Sequence, residues 1–229
     1  MQAVRRAAAV AVVATVFLGG CTTEVDGDPS AATRSAQTAP NSSNQTIDIR
    51  ERSVTPADFP GGYAASEVTG GQLGAIIGDT AGVPAGGTVD PPNCAPQQLP
   101  SEPQDAIAFV ATGPGANAGV LTALTVLVDT PLAQLKSQIE QCPTYTTDVQ
   151  GAVATVATTL LPASPAQSDE SLAFRRVTTS GAMTQTMTAL LSQNDGVRVY
   201  VTSVAAGQRP PDGAALDQLY TTALTRSRG

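Results

Sequence analysis

The sequence predicts an α+β domain: a mainly antiparallel sheet of about six strands, helices packed on one face, and one disulfide. Three observations point there. Between residues 149 and 205 the strand-like runs follow one another with no crossover helix, the order expected of antiparallel neighbours. Helical spacing is confined to three short stretches. Two cysteines, Cys94 and Cys142, fall in a long loop and at the end of a helix, where a covalent staple would join them.

The elements follow in order. Thr55-Pro56-Ala57-Asp58 has the form of a helix start, with Thr as N-cap and Pro at the first helical position, and Pro60-Gly61-Gly62 ends it at once. Residues 63–68 read as a first strand. Residues 72–77 place Leu73, Ile76 and Ile77 on one helical face. Residues 78–104 read as a loop, rich in Pro and Gly. A loop of that length in a compact domain needs tying down, and Cys94 sits in its middle. Residues 106–111 and 120–128 alternate and form a hairpin across a Gly-rich connection at 113–119. Thr130 and Pro131 open a helix whose Leu132, Leu135, Ile139 and Cys142 recur at helical spacing, and Pro143 stops it. Residues 149–161, 172–179, 183–192 and 197–205 are four further strands. The last two join at Asn194-Asp195-Gly196, whose residues tolerate positive φ. After Pro210-Pro211, Asp212 caps a C-terminal helix carrying Leu216, Leu219, Tyr220 and Leu224, with Arg226 and Arg228 at its negative dipole end.

The N-terminal region has a different character. Arg5 and Arg6 precede an uncharged Ala/Val run over residues 7–17, too short to span a bilayer as a helix, and small residues then lead to Cys21. Leu18-Gly19-Gly20-Cys21 resembles the lipobox of bacterial lipoproteins. The resemblance implies removal of residues 1–20 as a signal peptide and acylation of Cys21 with diacylglycerol and palmitate-like chains. Two or three such chains anchor stably, at roughly 0.8 kcal/mol per buried CH₂. Residues 21–51 are rich in Ser, Thr, Asn, Gln and Pro, and cannot bury enough apolar surface to offset the entropy of ordering. They are expected to tether a domain over residues 52–229 to the extracytoplasmic face of the cell membrane. With Cys21 acylated, Cys94 and Cys142 remain in an oxidising compartment. A disulfide closing a loop of about 49 residues is the default, worth roughly 4 kcal/mol in the chain-entropy model; two free buried thiols are the alternative.

Composition excludes several activities. Removing Arg5 and Arg6 with the leader takes the formal net charge from −7 to −9, which argues against nucleic acid as a partner. The chain has no His, so Ser-His and Cys-His nucleophilic machinery and His-ligated metal sites are excluded. No cofactor or metal is expected. Lys136, the one lysine, borders its helix's apolar stripe and reads as solvated. Asp169-Glu170 is an adjacent acid pair in a polar connection, a poor arrangement for glycoside hydrolysis. The residues that invite a binding role are Arg175, Arg176, Arg198 and Tyr200. They lie on otherwise apolar strands, and Arg198 shares a face with Tyr200. They are expected either to bind an anionic or sugar-like ligand on the sheet's open face, or to form the wet side of a half-buried sheet.

The lipobox, the tether, Phe59-Pro60-Gly61-Gly62-Tyr63, Pro92-Asn93-Cys94 and a helix ending in Gln141-Cys142 together resemble a group of mycobacterial lipoproteins. Their domain is similar to the extracellular sensor domain of a mycobacterial Ser/Thr kinase. The resemblance implies an α+β fold with an open cleft that binds a ligand or partner outside the membrane, without catalysis. That sensor domain has two disulfides, whereas this chain has Cys for one. The expected function is therefore a lipid-anchored, non-enzymatic binding protein for a cell-envelope small molecule or protein partner. A carrier of an apolar lipid and a cell-wall hydrolase are the alternatives.

Overall fold

The computed structural model describes residues 47–114, 119–163, 170–207 and 209–229; Cys21, most of the tether, the tip of the Gly-rich hairpin and Asp169 lie outside them. The strands are β1 (Ala64–Val68), β2 (Thr88–Asp90), β3 (Ala106–Thr112), β4 (Val120–Leu127), β5 (Thr144–Val149), β6 (Ala152–Leu161), β7 (Glu170–Ser180), β8 (Met183–Asn194) and β9 (Val197–Ala206). The helices are α1 (Gly71–Ala81), α2 (Leu132–Gln141) and α3 (Gly213–Ser227), with single 3₁₀ turns at Pro56–Asp58 and Pro92–Cys94. All strands form one antiparallel sheet in the order β1-β3-β4-β9-β8-β7-β6-β5-β2.

The sheet has nine strands, not about six. The run at 149–161 is a strand end, a turn and a strand: Gln150 and Gly151 both take positive φ, at 53° and 87°, and fold β5 back onto β6. β5 and the three-residue edge strand β2 are short and polar, so neither carries an apolar alternation to betray it. The hairpin at Asn194-Asp195-Gly196 forms as predicted, with Asp195 and Gly196 at φ 48° and 78°.

Helices cover both faces, not one. Alternate residues of each central strand enter opposite layers. On one side Ile107, Phe109, Leu121, Val199 and Val201 pack with Leu216, Leu219 and Tyr220 of α3. On the other, Ala108, Leu124, Val126, Phe174 and Leu191 pack with Leu73 and Ile77 of α1 and Leu132 and Ile139 of α2. Each fully buried Leu, Val or Phe contributes about 1.5–3 kcal/mol. The Tyr220 hydroxyl donates to the Leu191 carbonyl at 3.0 Å, which fixes α3 against β8.

Local chemistry sets the helix ends. Asp212 caps α3, accepting the Ala215 N–H at 3.0 Å. Thr130 does not cap α2. Its N-cap is Pro131, and Glu170 reaches across from β7 to accept the Leu132 N–H at 2.7 Å, a carboxylate at the positive end of the helix dipole. At the far end of the helix, Cys142 bonds to Cys94 with the Cα atoms 5.5 Å apart. The disulfide packs on Tyr145 and Val156 in a third, smaller cluster, and ties the 83–105 connection to the β5 side of the sheet.

Candidate functional site

On β7, residues 172, 174 and 176 face the α1/α2 layer. Leu172 and Phe174 join its core; Arg176 comes next along the same face and is 5% exposed. Its Nε donates to Thr158 Oγ1 at 3.3 Å and its Nη1 to the Thr80 carbonyl at 2.7 Å, while the guanidinium carbon lies 5.0 Å from the centre of the Phe174 ring. The Thr80 carbonyl belongs to the last turn of α1, so the cation meets the negative end of a helix dipole.

The backbone after α1 is shaped to this contact. Gly82 caps the helix with φ +92°, and a Cβ there would fall 2.7 Å from the Arg176 guanidinium carbon and 2.5 Å from the Tyr145 hydroxyl. Tyr145 in turn donates to the Gly82 carbonyl at 3.1 Å. Only glycine supplies both the left-handed turn and the close approach.

No carboxylate among the described residues pairs with Arg176. Burial pulls its pKa below the usual guanidinium value, opposed by the hydroxyls of Tyr145 and Tyr200. Its Nη2 donates to none of the described residues. Arg176 helps to line a cavity of about 160 Å³. Thr147, Val156 and Met187 form walls, and Asp79 and Gln185 stand exposed at the rim. Partial burial pushes the Asp79 carboxyl above its usual value. Thr178, Gln185 and Val204 also line an adjoining open groove of about 660 Å³ beside Met183, which is 75% exposed.

The structure separates the residues that the sequence grouped. Arg198 is 1% exposed, and all three of its nitrogens are used: Nε donates to Gln193 Oε1 at 2.8 Å, Nη1 to the Tyr200 hydroxyl at 3.2 Å, and Nη2 to the Thr130 carbonyl at 2.6 Å. Tyr200 is 3% exposed, and burial pushes its hydroxyl pKa up. This pair locks the β4–α2 connection to the sheet and offers nothing to a ligand. Arg175 is exposed on the α3 face of the sheet, away from the cavity. Neither Arg176 nor Arg198 lies on a wet or open face, because α1 and α2 cover the sheet there. Sequence reasoning missed Asp79, Gly82, Tyr145 and Thr158. The one local signal was an arginine in phase with Leu172 and Phe174 on an apolar strand face.

The cavity supplies a fixed cation with unused N–H donors, flanked by hydroxyls and an amide. Among the described residues, Asp79 is the one carboxylate in its lining, so none of them forms an acid pair across it as glycoside hydrolysis requires. Lys136 is exposed and pairs loosely with Glu140 at 3.8 Å. Among the described residues, the larger hollows are open grooves. Among the described residues, no group of three or more His, Cys, Asp or Glu converges as a metal site, and no helix is long and apolar enough to cross a membrane.

No family model and no curated protein matches the chain. Solved structures that resemble it include two mycobacterial proteins. An uncharacterized protein of Mycobacterium smegmatis, an Rv0999 ortholog, aligns at 17% identity and a TM-score of 0.46, covering 81% of this chain and 99% of its own. The extracellular domain of PknH from Mycobacterium tuberculosis aligns at 10% identity and a TM-score of 0.41, covering 76% of this chain and 98% of its own.

Proposed function

We propose that the chain is a lipid-anchored, extracytoplasmic binding protein of the sensor-like kind. It acts without catalysis and recognises a cell-envelope small molecule or protein partner at the Arg176 cavity. The observation that carries this reading is a buried arginine that lines a hollow, with no carboxylate partner and an unused Nη2 among the described residues. An unneutralised buried charge is costly unless something completes its hydrogen bonding. Here Thr80, Thr158 and the Phe174 ring supply part of that compensation, and a ligand supplies the rest. The anchor rests on the Leu18-Gly19-Gly20-Cys21 segment.

The test is co-purification. Full-length protein incubated with native envelope extract is re-isolated and examined by native mass spectrometry. A reproducible bound mass, lost when Ala154→Phe fills the cavity, is the expected result. Protein that emerges empty and without a partner overturns the reading. In parallel, Cys21→Ser should release the protein from the membrane fraction; retention there by the substituted protein refutes the anchor.

A further inference from the structure

We infer that the Arg176 cavity takes a short-chain monocarboxylate, either a free acid or the terminal carboxylate of a larger envelope molecule. The inference rests on the binding reading above and specifies its ligand.

Size sets the first limit. A protein cavity of about 150 Å³ accommodates a molecule as large as benzene, so about 160 Å³ admits a short carbon body and one small polar head. Charge sets the second. Among the described residues, the cavity holds one cation, Arg176, and one anion, the exposed Asp79. A single negative charge completes the guanidinium; a second would sit against Asp79 uncompensated, which disfavours a phosphate dianion. Geometry sets the third. With Nε committed to Thr158 and one Nη1 proton to Thr80, the two protons of Nη2 and one of Nη1 remain, a set suited to the planar oxygens of a carboxylate. The lining sets the fourth. Val156 and Met187 are buried and apolar and suit a hydrocarbon body, whereas a bare inorganic anion would leave them without contacts.

Asp79 therefore acts as a selectivity group: it stands at the entrance and repels ligands carrying more than one charge. Thr178 and Gln185, shared with the adjoining groove, mark the route by which a longer molecule would leave the cavity.

The experiment titrates the full chain in mild detergent with propionate, its neutral isostere propionamide, and inorganic phosphate, by calorimetry at neutral pH. Propionate should bind saturably. Propionamide and phosphate should each bind about 10- to 100-fold more weakly, the loss expected for a charge-assisted hydrogen-bond pair and for an uncompensated second charge. Arg176→Met should abolish the propionate signal. Because that variant removes a buried group, Ala154→Phe, at a half-buried strand position, provides an independent block that should do the same. Asp79→Asn, at the exposed rim, should narrow the gap between phosphate and propionate. Equal binding of propionamide, phosphate at least as tight as propionate, or unchanged propionate binding in Ala154→Phe overturns the inference. If propionate fails while envelope extract yields an uncharged ligand that Ala154→Phe displaces, the monocarboxylate inference falls and the binding reading stands. If both propionate and extract yield nothing, both fall.

Discussion

Replacing Gly82 with alanine probes the junction of α1, β5 and β7 at the point where it shapes the cavity. Two costs add. At φ +92° an L-residue loses about 1–2 kcal/mol from the left-handed backbone alone. The new methyl would also lie 2.5 Å from the Tyr145 hydroxyl and 2.7 Å from the Arg176 guanidinium carbon, so one of these buried groups must move. Moving either strains a hydrogen bond, from Tyr145 to the Gly82 carbonyl or from Arg176 to the Thr80 carbonyl, for about 1–3 kcal/mol more. The total is about 2–5 kcal/mol. Gly86 is the internal control: its φ is +76°, but a Cβ there would meet nothing within 4 Å, so Gly86→Ala should cost only the backbone part. The assay is urea unfolding of both variants beside the parent, with unchanged m-values required before midpoints are compared. Equal losses for the two variants would refute the idea that Gly82 is required by Arg176 and Tyr145 and not by its dihedral alone.

Other outcomes follow from the same contacts. Arg198→Met strips partners from Gln193, Tyr200 and the Thr130 carbonyl and should cost roughly 3 kcal/mol in urea unfolding, yet leave propionate affinity unchanged in the folded fraction. Opening the Cys94–Cys142 bridge by the paired Cys→Ser substitutions should lower stability by about 4 kcal/mol, because the closed loop spans a sequence separation of 48; no shift in the urea midpoint would contradict this. Asp79→Asn should raise the melting temperature at neutral pH. The folded carboxyl has a raised pKa, so its ionisation opposes folding above that pKa. The gain should shrink as pH falls through the raised value and vanish below the ordinary carboxylate pKa, as melting curves across pH would record.

Legibility followed the range of the interactions. Hairpins set by adjacent residues were readable: β3–β4 from alternation, and β8–β9 from Asn194-Asp195-Gly196. The α3 cap at Asp212 was equally plain, and cysteine counting led to the observed bridge. β5 was not, because Thr144-Tyr145-Thr146-Thr147 follows Pro143 and carries one large apolar residue, and its pairing with β6 turns on Gln150 adopting positive φ. The second helical layer did leave a trace: in β4, Leu121 and Ala123 on one face and Leu124 and Val126 on the other are all buried, a two-sided apolar run that a sheet covered on one face does not need. The site was the least legible part. Arg176 is held by Thr80, 96 residues earlier, and by a turn at Gly82 whose glycine has no local marker of its purpose. Arg198 and Tyr200 looked equally suited to a ligand; what separates them from Arg176 is that Thr130 and Gln193 already satisfy Arg198, a fact of tertiary register and not of pattern.

The most direct measurement is side-chain NMR of the arginine guanidinium groups during a propionate titration. Arg176 and Arg198 are both buried and provide two reporters in one molecule. The Arg176 resonances should shift to a saturable limit while those of Arg198 stay fixed. Saturable binding that leaves Arg176 unmoved, or that moves Arg198 equally, would contradict the assignment of the cavity as the binding site.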